Sequence, residues 1–382
     1  MIYFDNNATT RIAPEVAEAM RPFLETEYGN PSSAHAAGRA SRAAVDDARA
    51  CVAALIGAAS PNEVIFTATG TEADNWAIMG SLGEFGSSAH VVTSTVEHGA
   101  VAKMFDMLEM RGCRVTRVPV DAEGRLDLDD LRESLGPETR LVSIMMANNE
   151  TGMIFPIAEI GSIIKEHSNA VFHVDGVNAV GKIPVDLQNT AVDLFSLAGH
   201  KFHGPKGVGA LYVRRGVKLS PVTVGGGQEF GLRSGTEAVH QVVGLGAAAR
   251  LVSDMSSIDR VRGLRDRLET AILNNLTETR LNGSPEPGSR LPNTSSISFA
   301  GLNGEMLMAR LDAAGVCVST GSACHTQGAA ASGVLSAMNV PFEYAKGSIR
   351  FSLGRYNTEA EVDTVLQILP GIVGDLRKLA GE

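Results

Sequence analysis

A lysine in a glycine-bounded turn could do covalent chemistry. Lys201 follows His200 in the turn 198–207, directly after an apolar run that predicts a strand. Partial desolvation there lowers the pKa of the ammonium, and the neutral amine can form a Schiff base with a carbonyl. Lysines are common in loops, so the turn taken alone is better explained as a solvated loop. His200 and His203 have no apparent third ligand nearby, and we discount a metal site.

Three further candidates follow predicted strands. Asp175 ends an apolar run, where an aspartate can keep a pyridinium nitrogen protonated and make the ring an electron sink. Residues 67–73 place Gly70 and Thr71 ahead of a helix, where backbone N–H groups can bind phosphate. His98 also follows a strand. Each has a plain structural alternative: a turn aspartate, a helix N-cap and a structural histidine.

One of the four cysteines lies in a setting typical of a nucleophile. Cys324 is surrounded by small residues in the segment 318–328, which suits a reactive thiolate. Cys51, Cys113 and Cys317 fall in helical or strand patterns typical of packed thiols. Four cysteines in a chain of this length do not make a disulfide scaffold, so we expect free thiols in a reducing compartment.

Short apolar strands alternate with helical patterns through the middle of the chain. Strands are predicted over 64–67, 90–94, 114–118, 141–147, 170–175, 194–198 and 209–213. This alternation predicts a mainly parallel sheet covered on both faces. A charged helix over about 253–282 and a C-terminal helix kinked at Pro370 follow. We expect two domains: a large one over 15–255, and a small one formed by 1–14 and 256–382.

Composition excludes several classes of protein. The 382 residues carry 33 Lys and Arg against 43 Asp and Glu, a net charge of −10, which argues against nucleic-acid binding through bulk positive charge. Hydrophobic residues at 44% and charged residues at 20% are typical of a globular chain. No apolar run reaches the roughly 20 residues of a membrane helix, and residues 1–5 lack a leader pattern. We expect a cytoplasmic protein.

Taken in order, these motifs resemble the cysteine desulfurases of the NifS/IscS type, in the class V aminotransferase family. The resemblance runs from end to end and is carried by segments 3–10, 29–33, 147–152, 199–201, 233–236, 320–324 and 349–358. It implies the α/β fold of pyridoxal-phosphate-dependent transferases, the aspartate aminotransferase-like fold type I, with a large, mostly parallel mixed sheet. It also implies removal of sulfur from L-cysteine, giving L-alanine and an enzyme persulfide for iron–sulfur cluster assembly or other thio-cofactor synthesis.

The resemblance assigns the cofactor contacts. Lys201 would bind pyridoxal phosphate covalently and later move the Cα proton. Asp175 would pair with the pyridine nitrogen, and His98 would stack on the ring and shuttle protons. Gly70 and Thr71 would hold the phosphate.

The remaining implied roles concern the substrate and the subunits. His200 would also hold the phosphate, and Thr236 would reach the phosphate of a neighbouring subunit, which makes the active unit a homodimer. Asn149 would lie near the ring oxygen and the substrate carboxylate, which Arg350 would clamp. Cys324 would take the sulfur as a persulfide, and could transiently bind an iron–sulfur cluster; no resident metal is implied.

The chain departs from the family pattern in four places. Asn178 replaces the usual Gln beside the ring oxygen and is one methylene shorter, and Ala198 replaces a Ser that contacts the phosphate. We expect both to weaken cofactor retention. Residues 328–333 replace a segment that usually ends Glu-Pro-Ser, and the C-terminal tail that IscS-like members use to dock a scaffold is short.

Two alternatives stay open at this stage. A selenocysteine lyase would use the same residues, and a weakened homologue could bind partners only. An aminotransferase fits less well, because it needs no thiol at Cys324. The expected partners are L-cysteine, a second copy of the chain and a sulfur-acceptor protein, either an iron–sulfur scaffold or a tRNA or DNA thiolation protein, with no direct contact to nucleic acid or membrane.

Overall fold

The computed structural model describes residues 1–83, 89–320 and 332–380. The strands in this part are β1 (Ile2–Tyr3), β2 (Val64–Thr67), β3 (His90–Ser94), β4 (Arg114–Val118), β5 (Thr139–Met145), β6 (Val171–Asp175), β7 (Leu194–Ala198), β8 (Gly209–Val213), β9 (Thr279–Leu281), β10 (Thr294–Phe299), β11 (Val316–Cys317) and β12 (Ser348–Ser352). The α-helices are α1 (Pro14–Glu25), α2 (Ala36–Leu55), α3 (Gly70–Leu82), α4 (Gly99–Met110), α5 (Leu128–Ser134), α6 (Ile157–His167), α7 (Val239–Ser253), α8 (Ser257–Asn275), α9 (Gly304–Ala313), α10 (Gly333–Ala337), α11 (Phe342–Ala345) and α12 (Glu359–Ala380).

The largest sheet in the described residues has seven strands in the order β2-β8-β7-β6-β5-β3-β4. Strands β3 to β7 run parallel to one another, and β8 is antiparallel to both β2 and β7. This sheet confirms the predicted mostly parallel mixed sheet. Because parallel strands end at one edge, the residues that follow β3, β5, β6 and β7 are brought together there.

Two helices begin at that edge, and each start is fixed by a side chain. Thr69 caps α3 by accepting a hydrogen bond from the Glu72 N–H at 2.9 Å. His98 caps α4, since its Nδ1 accepts from the Ala100 N–H at 3.1 Å. A capping side chain satisfies one of the free N–H groups of a first helical turn. Two of the predicted candidate segments therefore lie at helix N-termini.

A second group of strands lies towards the C-terminus. Strand β10 pairs with β12 and β9 in a three-stranded antiparallel sheet, and β1 pairs with β11. Apolar side chains from β10, β12, α8 and α12 pack together with Phe4 in one buried cluster. The larger buried cluster of the central sheet also includes Leu291 and Val334. The division into domains near residue 255 stays a prediction.

The predicted helix over 253–282 was wrong in extent. Helix α7 ends at Ser253, and α8 occupies Ser257–Asn275. Asp254 accepts a hydrogen bond from the Ser256 N–H at 2.9 Å, which stabilises a turn between the two helices. Helix α12 continues through Pro370. No helix in the described residues is long and apolar enough to cross a membrane.

Candidate active site

A cavity of about 420 Å³ lies at the carboxyl ends of the parallel strands. That volume lies within the range of small-molecule sites. The predicted residues that line the cavity are Gly70, Thr71, His98, Asn149, Asp175, Asn178, His200, Lys201 and Arg350. Thr236 is exposed and is not among the lining residues. Cys324 lies outside the described residues.

The amine of Lys201 is held by the N-terminal segment of the chain. Its Nζ donates to the Asn7 carbonyl oxygen at 2.5 Å. The Asn7 side-chain Nδ2 in turn donates to the Asn149 carbonyl oxygen at 3.2 Å and to Thr294 Oγ1 at 2.8 Å. Asn7 lies within segment 3–10, one of the segments that carry the family resemblance, but the sequence did not predict it as a site residue. The only local signal was a mostly polar run at 5–10, interrupted by Ala8, which has no regular period.

Two buried carboxyl groups line the cavity. Asp175 ends β6, and its Oδ1 accepts from the Val177 N–H at 2.9 Å. Burial raises the pKa of Asp175, while nearby His98 and Lys201 oppose the rise. Asp74, on α3, has its pKa raised further, by burial and by the charge of Asp175. Two close carboxyl groups do not both ionise easily, and the larger rise in pKa favours the protonated form at Asp74. Sequence reasoning missed Asp74.

Both cavity histidines are neutral imidazoles at ordinary pH. Burial and the neighbouring Lys201 lower the pKa of His98, against the opposing charge of Asp175. Because Nδ1 accepts a backbone N–H, the proton of the neutral ring is assigned to Nε2. Burial lowers the pKa of His200 to about 4, and its Nδ1 lies 3.2 Å from Thr9 Oγ1. Each ring can therefore donate a hydrogen bond without carrying a charge.

The start of α3 makes a close-fitting cradle. A Cβ added at Gly70 would lie 2.7 Å from Val177 Cγ2 and 3.2 Å from the Cβ of Ala198. Thr71 is exposed on the first turn, where backbone N–H groups and the helix dipole favour an anion. Glu72 accepts from the Arg233 Nε at 2.9 Å, which ties the segment containing Thr236 to this helix.

Arg350 reaches the cavity from β12 and is almost fully buried. Its Nη2 donates to Asp5 Oδ1 at 2.7 Å, and its Nη1 donates to the Asn149 carbonyl oxygen at 2.9 Å. Its buried Nε has no hydrogen-bond partner within the described part of the chain. An unsatisfied guanidinium N–H beside a cavity is suited to a ligand carboxylate or phosphate.

Glu150 is a further acid in the cavity that sequence reasoning did not assign. Burial raises the pKa of Glu150 to about 7, against the opposing charge of Arg350. Its carboxylate accepts a hydrogen bond from the hydroxyl of Ser332. A carboxyl group with this pKa is close to half-protonated at neutral pH.

Asn178 has a polar partner that the sequence did not predict. The Lys182 Nζ donates to Asn178 Oδ1 at 2.6 Å and to the Asn178 carbonyl oxygen at 3.0 Å. The Asn178 Nδ2 donates to the Asn148 carbonyl oxygen at 3.4 Å. The side-chain oxygen is therefore engaged with a lysine. A role for Asn178 beside a cofactor ring stays a prediction.

The strand order and the cavity at the strand ends define an α/β transferase fold. The chain belongs to the aminotransferase class-V family, whose model matches residues 2–365. It is 49% identical over 380 residues to a cysteine desulfurase from Cereibacter sphaeroides, a match that covers 99% of this chain and 97% of that protein. These findings confirm the resemblance and the fold class.

Two solved structures extend the comparison. A NifS-like protein, 40% identical, aligns with a TM-score of 0.91 over 98% of this chain and 100% of its own. A structure described as SspA in complex with cysteine, 32% identical, aligns with a TM-score of 0.82 over 94% of this chain and 100% of its own. Members of the family depend on pyridoxal phosphate.

The residues of the cavity fit that cofactor. The start of α3 at Gly70 and Thr71, where backbone N–H groups favour an anion, lines the cavity. A buried carboxyl group, Asp175, and an amine, Lys201, line one cavity with it. These three features match the phosphate, the ring nitrogen and the aldehyde of pyridoxal phosphate.

Proposed function

We propose that this chain is a cysteine desulfurase that converts L-cysteine to L-alanine and leaves the sulfur as a persulfide on Cys324. The observation that carries the proposal is one cavity holding both Lys201 and Arg350, in a chain that matches cysteine desulfurases over nearly its full length. The related structure with bound cysteine supports that amino acid as the substrate.

Four elements would hold the cofactor. The N-terminus of α3 at Gly70 and Thr71, together with His200, would bind the phosphate. Asp175 would pair with the ring nitrogen, and His98 would pack on the ring face. When bound, pyridoxal phosphate supplies an electron sink that stabilises negative charge at the substrate Cα.

Lys201 would hold and move a proton. Its amine is already positioned by the Asn7 carbonyl oxygen at 2.5 Å. The neutral amine would hold the cofactor through its aldehyde and, once the substrate amine has displaced it, would be free to take the Cα proton of the substrate. Asp175 would hold the ring nitrogen protonated, since the larger rise in pKa at Asp74 favours the proton of the pair on Asp74.

Arg350 would orient the substrate through its carboxylate. The guanidinium is fixed by Asp5 and by the Asn149 carbonyl oxygen, which leaves Nε to donate to a substrate oxygen. A guanidinium fork binds a carboxylate with defined orientation, which a single ammonium does not. The substrate sulfur would then be directed consistently toward the same side of the cavity.

Cys324 would accept the sulfur, and His98 would donate or accept the proton that moves during the transfer. The thiolate attacks the substrate sulfur, so an S–S bond forms while the C–S bond breaks and its electron pair stays with the substrate carbon. The neutral His98, with its proton on Nε2, can donate or accept a proton during this exchange. Protonation of that carbon then gives alanine.

The acceptor of the persulfide and the oligomeric state are further parts of the proposal. Thr236 is exposed, so it is available to reach the phosphate of a second copy of the chain. The sulfur would pass to an iron–sulfur scaffold or another thiolation protein in the cytoplasm. Size-exclusion chromatography with light scattering tests the homodimer, and trapping Cys324 as a mixed disulfide identifies the acceptor.

The function is tested with purified protein and L-cysteine. We expect a yellow protein, stoichiometric alanine in the absence of a reductant and continued turnover with a thiol. Borohydride should fix the cofactor to Lys201, as mapped by mass spectrometry. An adduct on Lys206, its neighbour in the same turn, would refute the assignment.

A further inference from the structure

Lys182 is a buried cation with no role in the function described so far. It follows β6 in the turn after Asp175, and the residue is only 7% exposed. Its Nζ donates to Asn178 Oδ1 at 2.6 Å, to the Asn178 carbonyl oxygen at 3.0 Å and to Asn7 Oδ1 at 3.1 Å. Within residues 1–83, 89–320 and 332–380, no carboxylate forms an ion pair with it.

The three acceptors favour the charged form of Lys182. An ammonium has three N–H donors, whereas a neutral amine would turn its lone pair toward one of these oxygens. The amide orientations are set independently. Asn7 Nδ2 donates to the Asn149 carbonyl oxygen and Thr294 Oγ1, and Asn178 Nδ2 donates to the Asn148 carbonyl oxygen. Both side-chain oxygens are therefore directed toward Lys182.

Burying a charged lysine such as Lys182 costs free energy. A buried ammonium without a counter-ion loses hydration, which neutral acceptors recover only in part. Burial, and the positive charges of Lys201 and Arg350, lower the pKa of Lys182 well below its usual range, which the three acceptors oppose. A methionine would fill much the same space without this cost. A charge retained at this site therefore calls for a chemical explanation.

The position of Lys182 relative to Lys201 gives a chemical explanation for a charge at this site. The two amines bind to the two oxygens of a single residue: Lys201 to the carbonyl oxygen of Asn7, and Lys182 to its side-chain oxygen. The coupling of two like charges is mutual, so a proton on Lys182 makes a proton on Lys201 less favourable. A neighbouring cation is one established way to activate a lysine nucleophile.

We propose, on the basis of the function proposed above, that Lys182 is a positioning residue that holds a positive charge beside Lys201 and thereby keeps the Lys201 amine unprotonated and reactive. Asn7 and Asn178 are the residues that keep the charge in place. The shorter Asn178, at the position where the family usually has Gln, uses its side-chain oxygen for this purpose.

The electrostatic surroundings of Lys201 include groups of both signs. Those facing it or Lys182 are Asp175 from β6, His98 from the start of α4, His200 from its own turn and Arg350 from β12. Asp175 favours protonation of Lys201, whereas a positive charge on Lys182 opposes it. Lys182 is a buried candidate, and its acceptors favour the charged state.

The test measures the Lys201 amine directly in the full chain without cofactor. Trace acetylation over a range of pH, read for each lysine by mass spectrometry, gives the apparent pKa of Lys201. Lys182→Met, which removes the charge, should raise that pKa by about one unit or more. In the cofactor-bound full chain, the pH midpoint of the visible absorption band should shift upward as well.

Two matched variants isolate the charge. Lys182→Arg keeps it and should leave the Lys201 pKa near the wild-type value. Lys206→Met removes an exposed cation from the turn that contains Lys201. The Lys201 pKa should also stay unchanged in this variant, because solvent screens the charge of Lys206. If Lys182→Met does not fold, Asn178→Asp places a carboxylate against Lys182, and should raise the Lys201 pKa in the same way.

An unchanged Lys201 pKa in Lys182→Met or in Asn178→Asp overturns the proposal, and so does an equal rise in Lys206→Met. The acetylation readout needs neither cofactor nor substrate. A failure of the desulfurase assignment, shown by a borohydride adduct on another lysine, is therefore a separate result.

Discussion

Replacing Gly70 with alanine should weaken binding of pyridoxal phosphate, because the new Cβ has no room. It would lie 2.7 Å from Val177 Cγ2, and two aliphatic carbons are normally about 3.5–4.0 Å apart. Val177 is β-branched, so its side chain rotates with difficulty. Its N–H also donates to Asp175 Oδ1, so a shift of Val177 disturbs the acid that would face the ring nitrogen.

The expected loss follows from the size of this overlap. Forcing an extra methyl group into a packed site costs about 1–3 kcal/mol. If the cost falls on the cofactor-bound state, the Kd for pyridoxal phosphate rises about 5- to 140-fold, since about 1.4 kcal/mol is a factor of ten. Titration of cofactor-free protein, followed by visible absorption, measures this Kd, and thermal unfolding of the same sample shows whether the fold is intact.

Gly99 provides a matched control. It is the first residue of α4, as Gly70 is of α3, but a Cβ there would meet nothing within 4 Å. Gly99→Ala should leave the Kd within about twofold, which is within the usual effect of an open surface site. Adding Val177→Ala to Gly70→Ala should restore much of the affinity. An unchanged Kd in Gly70→Ala, or an equal loss of affinity in Gly99→Ala, would contradict the proposal that the start of α3 at Gly70 binds the cofactor.

Four other substitutions test separate parts of the site. Lys201→Ala should bind the cofactor without a borohydride-stable adduct and give no alanine; measurable turnover would remove its assigned role. Arg350→Lys should raise the KM for cysteine about tenfold or more, because a lost hydrogen bond to a charged group costs about 1.5–3 kcal/mol, whereas an unchanged KM would exclude the clamp. Ala198→Ser should slow loss of the cofactor during dialysis by adding a hydroxyl to the cavity wall, and faster loss would count against that contact. Burial raises the pKa of Glu97 to about 8 from an ordinary 4.5, so the folded protein loses stability as pH rises through that interval. In denaturant unfolding, the gain in stability of Glu97→Gln over wild type should therefore be larger at pH 8.5 than at pH 5. The reverse order would refute this assignment.

The sequence predicted those parts of the site that depend on local chemistry. Asp175 ends a strand, and His98 and Gly70 lie at the helix starts that follow two others, as the alternating pattern required. Each carries a residue type whose use at a strand end or helix N-terminus is general. Spacing along the chain was enough to mark them as candidates, and the family resemblance then assigned their roles.

The residues that were missed depend on long-range contacts. The Asn7 side chain meets Lys182, 175 positions away, and Glu150 meets Ser332, 182 positions away. A buried lysine after a strand has the same local pattern as a solvated one, and Asp74 reads as an ordinary polar residue of a helix. The charged run at 253–282 has helical composition throughout, so the turn at Asp254 was not visible in it.

The most direct test of the central claim is the fate of the cysteine sulfur. Protein with bound cofactor is mixed with L-cysteine without reductant, and alanine and protein-bound persulfide are quantified together. We expect one alanine for each persulfide, with the persulfide on Cys324. The variant with Cys51, Cys113 and Cys317 replaced should match the wild type, and Cys324→Ser should form essentially no alanine. Normal alanine release from Cys324→Ser, or a persulfide on Cys317, would contradict the account.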